Sequence, residues 1–143
     1  MTSKKYPIAP RVAVGAVVIR DDKVLLVKRR DPPNEGQWAI PGGSVRLGET
    51  LQAAAERELR EETGVCARAG KPVYVFDVIQ KDAQGRPKYH YVITDLWSEY
   101  VSGEPSPRDD ALDARWLSSA DVDRLPVNAT TLDLLKKTLK FGQ

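Results

Sequence analysis

A helix that carries acids on its apolar side constrains the whole chain, because whatever faces that helix must accept charge as well as hydrocarbon. Residues 50–63, TLQAAAERELREET, read as such a helix. Thr50 is placed to cap its N-terminus, and Gly64 followed by Val65 suits a left-handed C-terminal cap with an apolar residue after it. At about 100° per residue, Leu51, Ala54, Ala55 and Leu59 form a stripe roughly 140° wide. Glu58 and Glu62 fall inside that stripe, Glu61 lies at its edge, and Glu56 and Arg60 lie opposite, where a solvated face belongs. Two bare carboxylates about 5–6 Å apart repel by roughly 3 kcal/mol at an effective dielectric near 20, so a half-buried set needs protons or cations. Sites built of several anionic oxygens suit hard ions, Mg²⁺ or Mn²⁺. Arg57 is placed to orient Glu61 but cannot neutralise three acids.

The flanking segments predict a mixed sheet. Residues 11–19, RVAVGAVVI, are β-branched and nearly continuous, as in a buried strand. Residues 23–29, KVLLVKR, predict a second strand, joined to the first by a turn at residues 20–22. Residues 30–37, RDPPNEGQ, cannot be regular structure, and residues 38–49 read as a few apolar positions followed by a loop with Gly42, Gly43 and Gly48. Glycines in front of a helix let backbone approach a ligand, and a helix N-terminus favours anions. Residues 72–80 and 88–101 predict strands around a hairpin turn, and residues 102–113 a polar loop. ARWL predicts a short strand, Ser118 or Ser119 starts a helical turn, and Asn128 caps an amphipathic closing helix. Strands, helix, strands, helix imply an α/β domain, a single one over residues 1–143, with helices on both faces of the sheet.

Composition excludes several classes. The chain has 41% hydrophobic and 29% charged residues, as in a soluble globular domain, and its longest apolar runs are far too short to span a bilayer. The N-terminal MTSKKYPIAP has no apolar segment of the kind a secretory signal needs, so a cytoplasmic protein is expected. A net charge of +2 gives no argument for nucleic acid or membrane as a partner. One cysteine, Cys66, and one histidine, His90, give neither an intramolecular disulfide nor a structural zinc site. Cys66 reads as a small buried residue and His90 as a strand residue. Of the aromatic residues Trp38, Tyr74, Phe76, Tyr89, Tyr91 and Trp97, most read as core, and Trp38, just before the glycine loop, is the candidate for stacking on a base.

GSVRLGETLQAAAERELREETGV, residues 43–65, resembles the Nudix box: Gly, five residues, Glu, seven residues, then Arg-Glu-apolar-x-Glu-Glu-x-Gly-apolar. Gly43, Glu49, Arg57, Glu58, Leu59, Glu61, Glu62, Gly64 and Val65 fill every fixed position. The preceding hairpin and approach loop, and DDALDARWL, are also similar to that family, from about Val12 to Leu117. The resemblance implies an α/β/α sandwich around a central mixed β-sheet, and hydrolysis of a nucleoside diphosphate linked to a further group. Water would attack a phosphorus of the pyrophosphate, with Mg²⁺ or Mn²⁺ activating it and balancing charge. By the same resemblance Glu58, Glu61 and Glu62 are metal ligands with Gly43 beside them, Arg57 orients a glutamate, and Glu49 supports the site. The general base is a box glutamate or an acid of the later loop, Asp109 or Asp110, of which Asp110 stands six residues before Trp116. Arg29, at the end of its strand, is a candidate for phosphate. Relatives often carry a glutamate where this chain has Arg46, so Arg46 either binds substrate phosphate or lies exposed.

The box does not name the substrate. Signatures of NADH hydrolases, dinucleoside polyphosphate hydrolases and coenzyme A hydrolases are absent, and Lys81 stands where one group of ADP-ribose hydrolases has proline. VAVGAVVI, RRDPPNEGQW and DDALDARW look most like an ADP-ribose pyrophosphatase-like group. ADP-ribose or a related nucleoside diphosphate sugar is therefore the first expected substrate, and a nucleoside triphosphate, cleaved by a nucleotide-pool-sanitising enzyme, the second. A non-catalytic nucleotide-sensing domain is the alternative from another class, although such domains usually lose box glutamates and none is lost here. The resemblance also allows a homodimer.

Overall fold

The structure is a computed structural model that describes residues 5–143. The opening residues of the stretch read for a secretory signal lie outside the described residues. Strand β1 (Arg11–Arg20) turns at Asp21 and Asp22 into β2 (Lys23–Arg29). Both turn residues have positive φ, which matches the right-handed twist of a two-residue hairpin, and Arg20 pairs with Lys23. Two short strands follow, β3 (Trp38–Ala39) and β4 (Gly42–Ser44), where the sequence suggested apolar residues and a loop. Helix α1 (Leu51–Thr63) is capped as expected: Thr50 accepts from the Ala53 N–H, and Gly64 is left-handed with φ 79°.

Strands β5 (Cys66–Lys81) and β6 (Pro87–Ser102) form a hairpin longer than the sequence suggested. Pro72 lacks a ladder donor, which breaks the strand pattern in the sequence. The sheet absorbs the break with register shifts between Ala69 and Tyr74, so pairing begins directly after α1. Strand β7 (Ala111–Leu117) also exceeds the expected ARWL, because residues 111–113 continue its pairing along β2. Helix α2 (Ser119–Arg124) starts in a capping box of Ser118 and Asp121. Asn128 caps α3 (Ala129–Asp133), but the expected single closing helix gives way to a π-helical turn, Leu134–Thr138, in which Leu134 and Leu135 are fully buried.

The mixed sheet has the order β3-β2-β1-β6-β5, with β4 also on β1 and β7 also on β2. The β1–β6 pairing is parallel. Val14, Ala16 and Val18 of β1 face Ala54, Ala55 and Leu59 of α1, with Leu25 and Leu96 in the same core. Val24, Leu26 and Leu117 face the other way, against Val122, Val127, Leu135 and Phe141. Helices therefore cover both faces, which is why β1 and β2 read as continuous apolar runs. Each fully buried leucine- or valine-sized side chain contributes about 1.5–3 kcal/mol. No helix among the described residues is long and apolar enough to cross a membrane.

Candidate active site

Helix α1 turns its acids toward β4. Glu62 is 4% exposed and Glu58 is largely buried, whereas the Glu61 side chain is 37% exposed. The surface they meet is backbone: the Gly42 N–H donates to Glu62 Oε2 (3.4 Å), and Gly43 lies against the Glu58 carboxyl group. A β-carbon at Gly43 would overlap that carboxyl, so the glycine is required for close approach rather than for a turn.

Arg57 organises the cluster. Its Nε donates to Glu49 Oε2 (2.6 Å), and one terminal nitrogen donates to Glu49 Oε1 (2.9 Å) and to the Ser44 carbonyl (3.0 Å). The other terminal nitrogen donates to Glu58 Oε1 (2.8 Å) and Glu61 Oε2 (3.2 Å). All five guanidinium donors are thus engaged. The sequence pointed to Glu61 as its partner, and the structure adds Glu49, Glu58 and Ser44. The Arg57 hydrogen bonds, helped by the Arg46 N–H (2.9 Å), hold the Glu49 carboxyl down at about 2. One guanidinium leaves the cluster negative. Burial, reinforced by Asp110 and Glu58, pushes the Glu62 carboxyl up to about 7, and burial raises Glu58 against the opposing pull of Arg57.

Among the described residues no three His, Cys, Asp or Glu side chains converge as a closed metal-binding group, since Glu58 and Glu61 are both turned onto Arg57. The donor chemistry nonetheless fits a hard divalent cation: oxygen only, anionic, and desolvated enough for Glu62 to favour a bound positive charge.

The remaining candidates divide. Asp110 shares a small cleft with Glu62, lined also by residues 27–31, and is fixed there by the Arg30 N–H donating to its carbonyl (3.2 Å). Asp109 is exposed, with φ 53°. Arg29 borders the same cleft, but its guanidinium donates to the carbonyls of Pro33 (2.9 Å) and Asp31 (3.2 Å), pinning the approach loop. Arg46 is exposed and stands 3.8 Å from Glu61. Trp38, expected to stack on a base, is corrected: it is 4% exposed and packs with Val24, Leu26 and Val127, so its ring is core. Glu56, expected to be solvated, accepts from the Ala69 N–H (2.9 Å) and ties α1 to β5, while Arg60 is exposed as expected.

Beside the acids an open cavity lies on the sheet face away from α1. Its walls include Phe76, Val78, Tyr91 and Ile93, with Asn128, Thr130 and Thr131 at one side. Gly42 and Arg29 border it as well, so the cavity and the acid cluster meet at β4 and the end of β2. Asp95 also lines it, 3% exposed, with its carboxyl pushed up to about 7 by burial. Sequence reasoning passed over Asp95. The available signal was an acid continuing the alternating face of Tyr89, Tyr91 and Ile93.

Residues 9–137 match the family described as NUDIX domain. An ADP-ribose pyrophosphatase of Methanocaldococcus jannaschii is 34% identical over 125 residues, 86% of this chain and 70% of that protein. A putative 8-oxo-dGTP diphosphatase 2 of Mycobacterium tuberculosis is 33% identical over 136 residues, 90% of each. The crystal structure of a MutT NUDIX hydrolase from Burkholderia pseudomallei superposes with a TM-score of 0.77 at 31% identity, covering 94% of this chain and 99% of that one.

Proposed function

The chain belongs to the Nudix family and is a hydrolase of pyrophosphate bonds, and from that premise we propose that it cleaves ADP-ribose or a related nucleoside diphosphate sugar. The observation that carries this reading is the position of the acid cluster beside an open, largely apolar cavity, with Gly42 bordering both. A nucleoside seated in the cavity directs its pyrophosphate toward Glu58, Glu61 and Glu62. These acids would hold Mg²⁺ or Mn²⁺, with Gly43 giving Glu58 room. When bound, the cation supplies charge neutralisation for the pyrophosphate and activates water. Arg57 holds Glu58 and Glu61 in one orientation and anchors Glu49 to the loop that carries Ser44. Asp110, across the cleft from Glu62, is the residue we assign as proton acceptor at its carboxylate oxygen. Arg46, exposed beside Glu61, is placed to meet a phosphate.

The 33% identity to the Mycobacterium tuberculosis protein favours a second reading, a nucleoside triphosphate pyrophosphohydrolase. A metal-supplemented panel of ADP-ribose, nucleotide sugars and nucleoside triphosphates separates the two. AMP plus ribose phosphate supports the first, and nucleoside monophosphate plus pyrophosphate the second. Excess EDTA is expected to abolish either activity, so full turnover in EDTA would exclude the cation. Gly43→Ala is expected to displace the Glu58 carboxyl and to lower kcat/KM about 100-fold, the scale of a misplacement of about 1 Å. Activity within a few-fold of wild type, in a variant of unchanged circular dichroism, would remove Glu58 from the site.

A further inference from the structure

Asp95 is a buried acid in the sheet. It sits in the middle of β6 with its backbone paired to Gly15 of β1 and Tyr74 of β5. Its carboxyl lies against the bare face of Gly15, where a β-carbon would overlap Oδ1, and beside Ile40. Among the described residues no hydrogen bond or ion pair to the Asp95 side chain is present. Two polar side chains of this region are committed elsewhere: the Tyr74 hydroxyl donates to Asp133, and the Arg29 guanidinium to the carbonyls of Asp31 and Pro33. A buried carboxyl without a partner costs folding free energy, and nothing in the packing compensates for it. The one direction left open is the cavity, which Asp95 lines together with Gly15, Gly42, Phe76, Tyr91 and Ile93.

We propose that Asp95 reads the nucleobase, accepting an N–H from the exocyclic amino group of a purine held between the apolar walls of this cavity. The proposal rests on the reading of the chain as a nucleotide hydrolase, and it deepens that reading by naming the residue that selects the base. Three features support it. The cavity is apolar and aromatic on the sheet side, as a purine ring requires, and Asp95, the one acid among its lining residues, supplies direction. The row Gly42–Gly15–Asp95 runs across three neighbouring strands, so the base-reading acid is in register with the glycine whose N–H meets Glu62. Asp95 also differs from Glu49, Glu58 and Glu61, which Arg57 satisfies, and from Glu62, which accepts from the Gly42 N–H, in having neither kind of donor. A site built to accept a hydrogen bond discriminates strongly against an analogue lacking the donor, because the buried acceptor is then left unpaired.

Binding in EDTA tests this without hydrolysis. Calorimetric titration compares AMP with the purine ribonucleoside monophosphate that lacks the 6-amino group, and GMP with IMP, which lacks the 2-amino group. At pH 8, where the Asp95 carboxyl is ionised, wild type is expected to bind the amino-bearing member of one pair at least about 10-fold more tightly, the scale of one hydrogen bond to a charged group. The pair that discriminates identifies adenine or guanine. In Asp95→Leu the preference should fall to within about twofold, and Asp95→Asn, which keeps an acceptor, should retain part of it. The Asp95→Leu protein should melt at a higher temperature than wild type, since a buried unpaired carboxyl is removed; a lower melting temperature would make Asp95 a structural residue and overturn the proposal. Equal affinities within both pairs in wild type, no nucleotide binding, or an unchanged preference in Asp95→Leu would also overturn it. If the Asp95-dependent preference is found but no pyrophosphate is cleaved in the substrate panel, the hydrolase reading fails and the base-reading role stands. If cleavage is found without the preference, the reverse holds.

Discussion

Glu62→Gln is expected to lower turnover by about three orders of magnitude while raising the thermal stability of the metal-free protein above neutral pH. The first effect follows from removing an anionic donor from the centre of the cluster; several kcal/mol of charge stabilisation converts to a factor of about 10³. The second follows from linkage. The folded-state carboxyl sits at about 7 against an ordinary value of 4.5. Below the unfolded value the side chain is protonated in both states and costs nothing. As pH rises the unfolded chain gives up its proton first, so native stability declines and the loss is complete once pH passes about 7. A shift of that size corresponds to about 3 kcal/mol. Glutamine carries no such penalty, so the variant should gain on wild type at pH 8 and match it near pH 4.5. Melting curves in EDTA at both pH values check this. Added Mg²⁺ should raise the wild-type melting temperature at pH 8 and have a much smaller effect on the variant. An equal response in both proteins would show that Glu62 does not meet the cation.

Arg57→Met should cost about 3–5 kcal/mol of stability, because it strips a buried arginine from partners that stay behind. Glu49 and Glu58 lose their charge partner, and the Ser44 carbonyl loses its donor. Here the pH dependence has the opposite sign. The Glu49 carboxyl is held at about 2, below its ordinary 4.5, so its contribution is present above the ordinary value and disappears as pH falls toward about 2. Urea denaturation should show a wide gap between wild type and variant at pH 7 that narrows at pH 3. Arg57→Lys cannot reproduce five donors in a planar fork and should recover only part of the loss. A variant as stable as wild type at pH 7 would mean that the guanidinium network is not what holds the loop.

Local chemistry made much of this legible in the sequence. The helix α1, both of its caps and the β1–β2 hairpin follow from residue types a few positions apart, and helical phase alone singled out Glu58 and Glu62 as acids on the buried side. What escaped were long-range matters. Arg57 lies off the apolar stripe by phase, yet it is buried because the loop bearing Ser44 and Glu49 folds back over it. Glu56 looked solvated until β5 brought the Ala69 N–H to it. Trp38 looked available until α2, α3 and the closing turn covered it. Asp95 looked like one more charge in a strand. Its isolation depends on which residues β1 and β5 place alongside it, and periodicity within β6 does not contain that information.

The parallel pairing of β1 with β6 also sets an order of assembly. The acid cluster is built from residues close together in the chain, from the glycine strand through α1. Asp95 meets Gly15 only when a late strand returns to lie beside the first one. Loop closure over that distance is entropically expensive and comes after local contacts. During synthesis the residues of α1 therefore emerge before β6, the strand that completes the pocket. A chain stalled before β6 would carry Glu58, Glu61 and Glu62 but neither Asp95 nor Asp110. On the proposed reading of Asp95, base selectivity depends on the β1–β6 seam, whereas the Arg57-held acids do not.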